Sequence, residues 1–185
     1  FSIANQGPIS PVDLAGAKEL MIFAVEMCEI QLKGDREFVL EQPLTSRAWS
    51  LEPVMKLIAT RKVISTEFHQ CMYGLTAEDH LGVAPALKPT RVLTSHPALA
   101  EVLTRRCDGS HRHAQLIGKS ACSRAAQYPH GLCQSILKGT DVIKKARAEA
   151  KLLEIGPAGE SLRAFHSAEL EDMCEDDDGW QWQGD

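Results

Sequence analysis

Between Cys107 and His113 the chain places one thiol and two imidazoles within seven residues: Cys107, His111 and His113. Thiolate and imidazole are the groups zinc takes as ligands, four at a time in a tetrahedron. A fourth would have to come from elsewhere, with Cys122 and Cys71 as candidates, since no Cys-x-x-Cys pair occurs. The alternative reading of the segment is a basic loop with exposed histidines. Upstream, His69-Gln70-Cys71-Met72-Tyr73-Gly74 offers a Cys/His pair, from which a nucleophile can be built. At i and i+2 on a strand the two would share one face, yet no third group is evident to orient them, and a partly buried cysteine is the plainer account. Glu41, in Glu41-Gln42-Pro43, falls where a strand should end. In open α/β sheets ligands bind outside the carboxyl ends of strands, so a carboxylate there can accept hydrogen bonds from a substrate amide or amine. A solvated strand end followed by a turn proline is the competing reading.

Charge is unevenly distributed. The chain has 185 residues, 20 Lys+Arg and 25 Asp+Glu. Residues 167–185 hold eight acids and no Lys or Arg, so the rest of the chain is mildly basic. Residues 86–125 carry seven bases (Lys88, Arg91, Arg105, Arg106, Arg112, Lys119, Arg124) against two acids, which suits phosphate contacts as well as a solvated face. Aromatic residues do not interleave with these bases, so stacking on single-stranded bases is not supported. Phosphate-cradling glycine loops, a G-x-S-x-G elbow and an H-E-x-x-H pair are all absent. No run of about 18 apolar residues exists to span a membrane. Six cysteines scattered over a chain this long read as reduced thiols, hence an intracellular protein of nucleus or cytoplasm. A start at Phe1 reads as a fragment of a longer reading frame.

The elements that must position these residues follow from periodicity. Residues 1–9 read as an irregular lead-in. Ser10 caps a helix begun by Pro11, with Ala17, Leu20, Met21, Ala24, Cys28 and Gln31 at helical spacing and Gly34 as its stop. Short strands are expected at 36–41, 63–68 and 91–94, and helices at 51–61, 97–106, 129–138 and 140–154, the last capped by Thr140. Residues 74–89 read as a Gly/Pro-punctuated loop and 107–123 as irregular. From Gly156 onward acids outnumber apolar residues, so 156–185 is expected to be a disordered acidic tail. Strands alternating with helices indicate an α/β layer over 10–155, with three or four strands. If strands one and two are parallel neighbours, Glu41 and Cys71 share one edge.

Several of these pieces occur in a telling order: Phe38-Val39-Leu40-Glu41-Gln42-Pro43, Trp49, Gln70-Cys71-Met72-Tyr73-Gly74, Lys88-Pro89-Thr90, Leu93-Thr94, Cys107-Asp108-Gly109 with His111 and His113, and Tyr128-Pro129 with Leu132-Cys133. The set resembles the C-terminal half of a phage-type DNA methyltransferase-like domain, in the form found inside copia-type retrotransposon polyproteins. The resemblance covers roughly residues 17–139. The acidic stretch with Trp180 and Trp182 is similar to the one that follows the domain there. It implies a partial Rossmann-like sheet. Glu41 would hold the target base with Gln42, Pro43, Tyr73 and Gly74 around it, and Lys88, Thr90, Arg91, Arg105 and Arg106 would face DNA. Glu41 and Cys71 are then the candidates for chemistry. Gln42 stands where that group has Asn or His, and Ser95-His96 where Asn-Ser is expected. A strand and Gly-rich loop for S-adenosylmethionine, which a full-length relative would bind, does not occur in these residues. The chain alone is therefore expected to be inactive, with nucleic-acid binding as its remaining function and the rest of a polyprotein as its partner. The contrasting expectation is a non-catalytic module, held by zinc at Cys107, His111 and His113, that binds nucleic acid or another protein.

Overall fold

The computed structural model describes residues 11–116 and 125–154. The chain divides into two compact units, residues 1–143 and 144–185. The first begins with helix α1 (Pro11–Lys33), followed by strand β1 (Val39–Pro43), a 3-10 turn at Arg47–Ser50 and helix α2 (Glu52–Ile58). Strand β2 (Ile64–His69) runs into a 3-10 turn at Gln70–Tyr73, then β3 (Thr76–Asp79), β4 (Gly82–Pro85), β5 (Pro89–Thr94) and the short helix α3 (Pro97–Glu101). The last helix, α4 (His130–Glu154), continues past the unit boundary, and its residues 144–152 are exposed. The lead-in 1–9, the Ser10 cap and the tail 156–185 lie outside the described residues.

The molecule is thus mixed helix and strand, with two small antiparallel sheets. The larger has the order β1-β5-β2. Leu40 pairs with Leu93 and Ser65 with Leu93, so β5 is the centre and β1 and β2 are its edges. Both edges run against β5. The parallel neighbours that a Rossmann-like layer would supply are therefore not formed among the described strands; β5 separates the two. The reason is the chain path: β5 enters the space between β1 and β2 from the hairpin side, opposite in direction to both. Even so, β1 and β2 point the same way, and their carboxyl ends meet the start of β5, with Pro43 opposite Thr90 and His69 opposite Pro89.

Each face of this sheet has its own core. Leu93 packs with Trp49, Phe38, Val54 and Leu57 and with Met21, Val25 and Cys28 of α1. On the other face Val92 and Phe68 pack with Tyr73, Leu103 and Leu132. This two-sided burial follows from the period-2 alternation of β5, which sends Arg91 and Leu93 one way and Thr90, Val92 and Thr94 the other. A third small cluster of Leu75, Ala86 and Ala125 seats the second sheet, the β3–β4 hairpin. That hairpin occupies the stretch expected to be a loop. Its turn is made by Gly82 at φ 93° and by Asp79, whose carboxylate accepts the N–H of Leu81 at 2.9 Å.

Helices 129–138 and 140–154 are one. Thr140 does not cap a new helix; its hydroxyl donates to the carbonyl of Ile136. Gly139 is no break either. A Cβ there would lie 3.0 Å from the carbonyl oxygen of Ala98 and 3.1 Å from Leu99, so the glycine lets α4 approach α3. Among the described residues no helix is long and apolar enough to cross a membrane.

Candidate metal centre

Four side chains converge where β2 ends. The ligand atoms of Cys71, Cys107, His111 and His113 all lie within 4.8 Å of one another. The Sγ of Cys107 is 3.5 Å from Nε2 of His111 and 3.4 Å from Nε2 of His113. The two rings stand edge to face, centroids 4.6 Å apart. With zinc–sulfur and zinc–nitrogen bonds of about 2.3 and 2.05 Å, a tetrahedron sets its sulfur and nitrogen corners about 3.6 Å apart. The two spacings from Cys107 are close to those edges, and the group is compatible with zinc. The expected Cys107, His111 and His113 are brought together, and Cys71 is the fourth member. Cys122 lies outside the described residues.

Local structure explains how two distant segments meet. Strand β2 stops at His69, and the following 3-10 turn buries Gln70, Cys71 and Tyr73. Gly74 closes the turn at φ 91°, a left-handed conformation that glycine adopts without strain, and its N–H donates to the carbonyls of Cys71 and Gln70. On the other segment, the N–H of Cys107 donates to Nδ1 of His69 at 2.9 Å. Asp108 accepts the N–H of Ser110 at 2.9 Å, Gly109 takes φ 81°, and the Gly109 N–H donates to the sulfur of Cys107 at 3.3 Å. This tight turn sends the chain back so that His111 and His113 face the thiol. Arg112 points away to Asp79, which it grips at 2.8 and 3.0 Å, and the N–H of Ala114 donates to Pro85. The loop is thus tied to the hairpin independently of any metal. The N–H groups of Leu81 and Gln115 and the Arg112 guanidinium hold the Asp79 carboxyl below its usual range.

Burial pushes the Cys71 thiol up to about 11, with the neighbouring Cys107 as the second cause. A thiol so placed is a weak nucleophile, whereas a dication between the four ligands would take it as thiolate. His69 does not serve Cys71 as a base. The strand ends between them, so they do not share a strand face, and Nδ1 of His69 is taken up by Cys107. Burial, then the charges of Arg106 and His113, lowers the His69 pKa, which suits a neutral ring accepting that bond.

Glu41 lies in a separate polar cluster at the same end of the sheet. Its carboxylate accepts from Nε2 of Gln70 at 3.4 Å and from the hydroxyl of Tyr128 at 3.0 Å. Gln70 is fully buried; its Nε2 also donates to the hydroxyl of Thr90 at 3.0 Å, while its Oε1 has no hydrogen-bond partner among the described residues. Burial and the Glu41 charge push the Tyr128 phenol well above its usual range. Tyr73 donates to the carbonyl of Val102 at 2.9 Å and accepts the N–H of Arg105. Gln42 pairs with Arg91 across the sheet, and the carbonyl of Pro43 accepts the indole N–H of Trp49 at 2.9 Å.

Much of the basic stretch is engaged within the protein. Arg91 and Arg106 both pair with Glu67, at 2.9 and 3.0 Å, and Arg91 also lies over the Trp49 ring. Lys88 donates to the carbonyl of Ala125, and Arg105 lies over Tyr73. Of these, Arg105 and Arg106 remain exposed, immediately before Cys107. Lys119 and Arg124 lie outside the described residues. The parts of His69 in holding the metal loop and of Gln70 in holding Glu41 have no local signature in the sequence, because both partners are far away in the chain.

Comparison with protein-family models, curated proteins and solved structures gives no match to this chain.

Proposed function

We propose that this chain is a non-catalytic module, held by one structural zinc ion, that docks on nucleic acid. The observation that carries the reading is the four-membered Cys71, Cys107, His111 and His113 group. Two thiolates and two imidazoles complete zinc's tetrahedron, which leaves no position for a reacting water, and that is the mark of a structural rather than a catalytic site. Two thiolates balance the ion's charge, and beside them stand the exposed Arg105 and Arg106, the latter also paired with Glu67. Phosphate contacts by such a pair would be sequence-independent and salt-sensitive. The test is fluorescence anisotropy with duplex DNA across a salt series. The zinc-loaded chain should bind, and Arg105→Ala with Arg106→Ala should weaken binding and flatten the salt slope by roughly 0.9 per lost phosphate contact. Absence of salt-dependent binding by the zinc-loaded chain would leave a protein-interaction module.

One further observation favours a second reading, that of a methyltransferase-like fragment of a mobile-element polyprotein. The partly exposed Glu41 carboxylate, held at the carboxyl end of β1 by Gln70 and Tyr128, supports a place for the amino edge of an extruded base. A duplex with a mismatched, easily flipped base should then bind tighter than a matched one, and Glu41→Ala should remove the difference. That reading also requires a polymerase or integrase in the same reading frame, and a separate S-adenosylmethionine-binding half for any methyl transfer.

A further inference from the structure

Helix α1 is apolar on two sides. Met21, Val25 and Cys28, with Leu32 partly buried, form the stripe that enters the core. At about 100° per residue, Val12, Gly16, Leu20, Phe23, Met27 and Ile30 form a second stripe roughly opposite to it. Leu20 is 71% exposed, Phe23 56% and Ile30 46%. A helix with apolar residues on both sides is ordinarily covered on both. The outer stripe also has the 3-4-3 spacing of Leu20, Phe23, Met27 and Ile30, which is the a/d spacing of a two-helix seam rather than of a broad core face.

We propose that this stripe is the interface of a symmetric dimer in which two α1 helices pack antiparallel. Charge selects both the occupant and its direction. On one flank of the stripe lie Glu19, Glu26 and Lys33, all exposed; on the other lie Ala17, Ala24 and Gln31. In an antiparallel self-pair Leu20 meets Ile30 of the second copy and Phe23 meets Met27. The charged flanks then face each other, and Glu19 of each copy comes opposite Lys33 of the other, twice per dimer. Only Glu26 meets its own kind, at the centre. A parallel pair would set the charged flank against Ala24 and Gln31 and gain no such match. The small Ala17 and Ala24 let the opposite flank close.

The experiment is sedimentation equilibrium of the full chain over a wide concentration range. The expected result is reversible association from 20.3 kDa to roughly twice that mass. Phe23→Glu should abolish it. Lys33→Glu should weaken it several-fold and Glu19→Lys with Lys33→Glu should restore it, because swapping the signs keeps both cross-pairs. Glu26→Gln should tighten it. All these positions are exposed, so unchanged circular dichroism is the control for folding. A chain that stays monomeric at every concentration overturns the proposal, and so does a dimer indifferent to Phe23→Glu. Failure of the swap to restore association overturns the antiparallel arrangement. None of these results depends on zinc or nucleic acid.

Discussion

The ring of His69 accepts the backbone N–H of Cys107 at 2.9 Å, so the last residue of β2 fixes the loop that carries three of the four metal ligands. His69 itself is not among the four. Removing it should leave the ligand set whole but less well held. We expect His69→Ala to bind one zinc with roughly 10–100-fold lower affinity, the range found for partners that orient metal ligands. His69→Asn, which offers a carbonyl oxygen near the same place, should recover part of the loss. Competition with a chromogenic chelator measures both.

Gly109 turns the loop at φ 81° and lends its N–H to the Cys107 sulfur. An L side chain in that conformation costs about 1–2 kcal/mol. Gly109→Val should lower the midpoint of thermal unfolding of the zinc-loaded chain and weaken zinc binding. Gly109→Asn should do less, because Asn tolerates left-handed backbone. Calorimetric scans of the three proteins decide it.

Two helical glycines should respond with opposite signs. A Cβ on Gly131 would sit 2.6 Å from the carbonyl oxygen of Tyr73, on the turn that carries Cys71. Gly131→Ala should cost about 1–3 kcal/mol through overpacking. Among the described residues, a Cβ on Gly16 of α1 would meet no atom within 4 Å beyond its own turn of helix. Gly16→Ala should therefore stabilise by about 0.5–1 kcal/mol, by removing backbone freedom from the unfolded chain. Urea unfolding of both variants checks the pair.

Helix α1 ends with Asp35, not Gly34, in the left-handed position at φ 51°. The N–H of Arg36 donates to the carbonyl of Gln31 and that of Asp35 to Leu32, the two bonds of a Schellman ending. Asp35→Gly should raise stability by about 0.5–1 kcal/mol, since glycine takes this backbone without strain. The same unfolding measurement tests it; a loss of stability would mean that the Asp35 side chain, 3.7 Å from Lys62, matters more than its backbone.

What could be read from residues alone was local. Cys107, His111 and His113 lie within one turn of each other in sequence, so their convergence was legible, and Cys71 was one of two candidates for the fourth place. The three strands of the larger sheet are also legible to within a few residues, because alternation is a local signal. Their order was not: β5 enters between β1 and β2 through pairings such as Ser65 with Leu93, which no local pattern encodes. Along α1 Leu20 and Met21 both keep helical spacing with Cys28, because apolar residues lie on two faces; the structure buries Met21 and Cys28, adds Val25 and leaves Leu20 exposed. Thr140 read as the cap of a second helix because a threonine after a glycine has the composition of a helix start, whereas here the glycine serves a close approach to α3. The hairpin at 76–85 was missed because its strands are four residues each and end in Pro85.

The most direct test of the metal centre is the zinc content of the purified full chain and its cysteine variants by inductively coupled plasma mass spectrometry. The account predicts one zinc per chain, lost in Cys71→Ser and Cys107→Ser and retained in Cys28→Ser and Cys133→Ser, whose thiols lie outside the cluster. A wild-type chain that retains no zinc after exposure to it, or a Cys71→Ser variant that keeps its full complement, would contradict it.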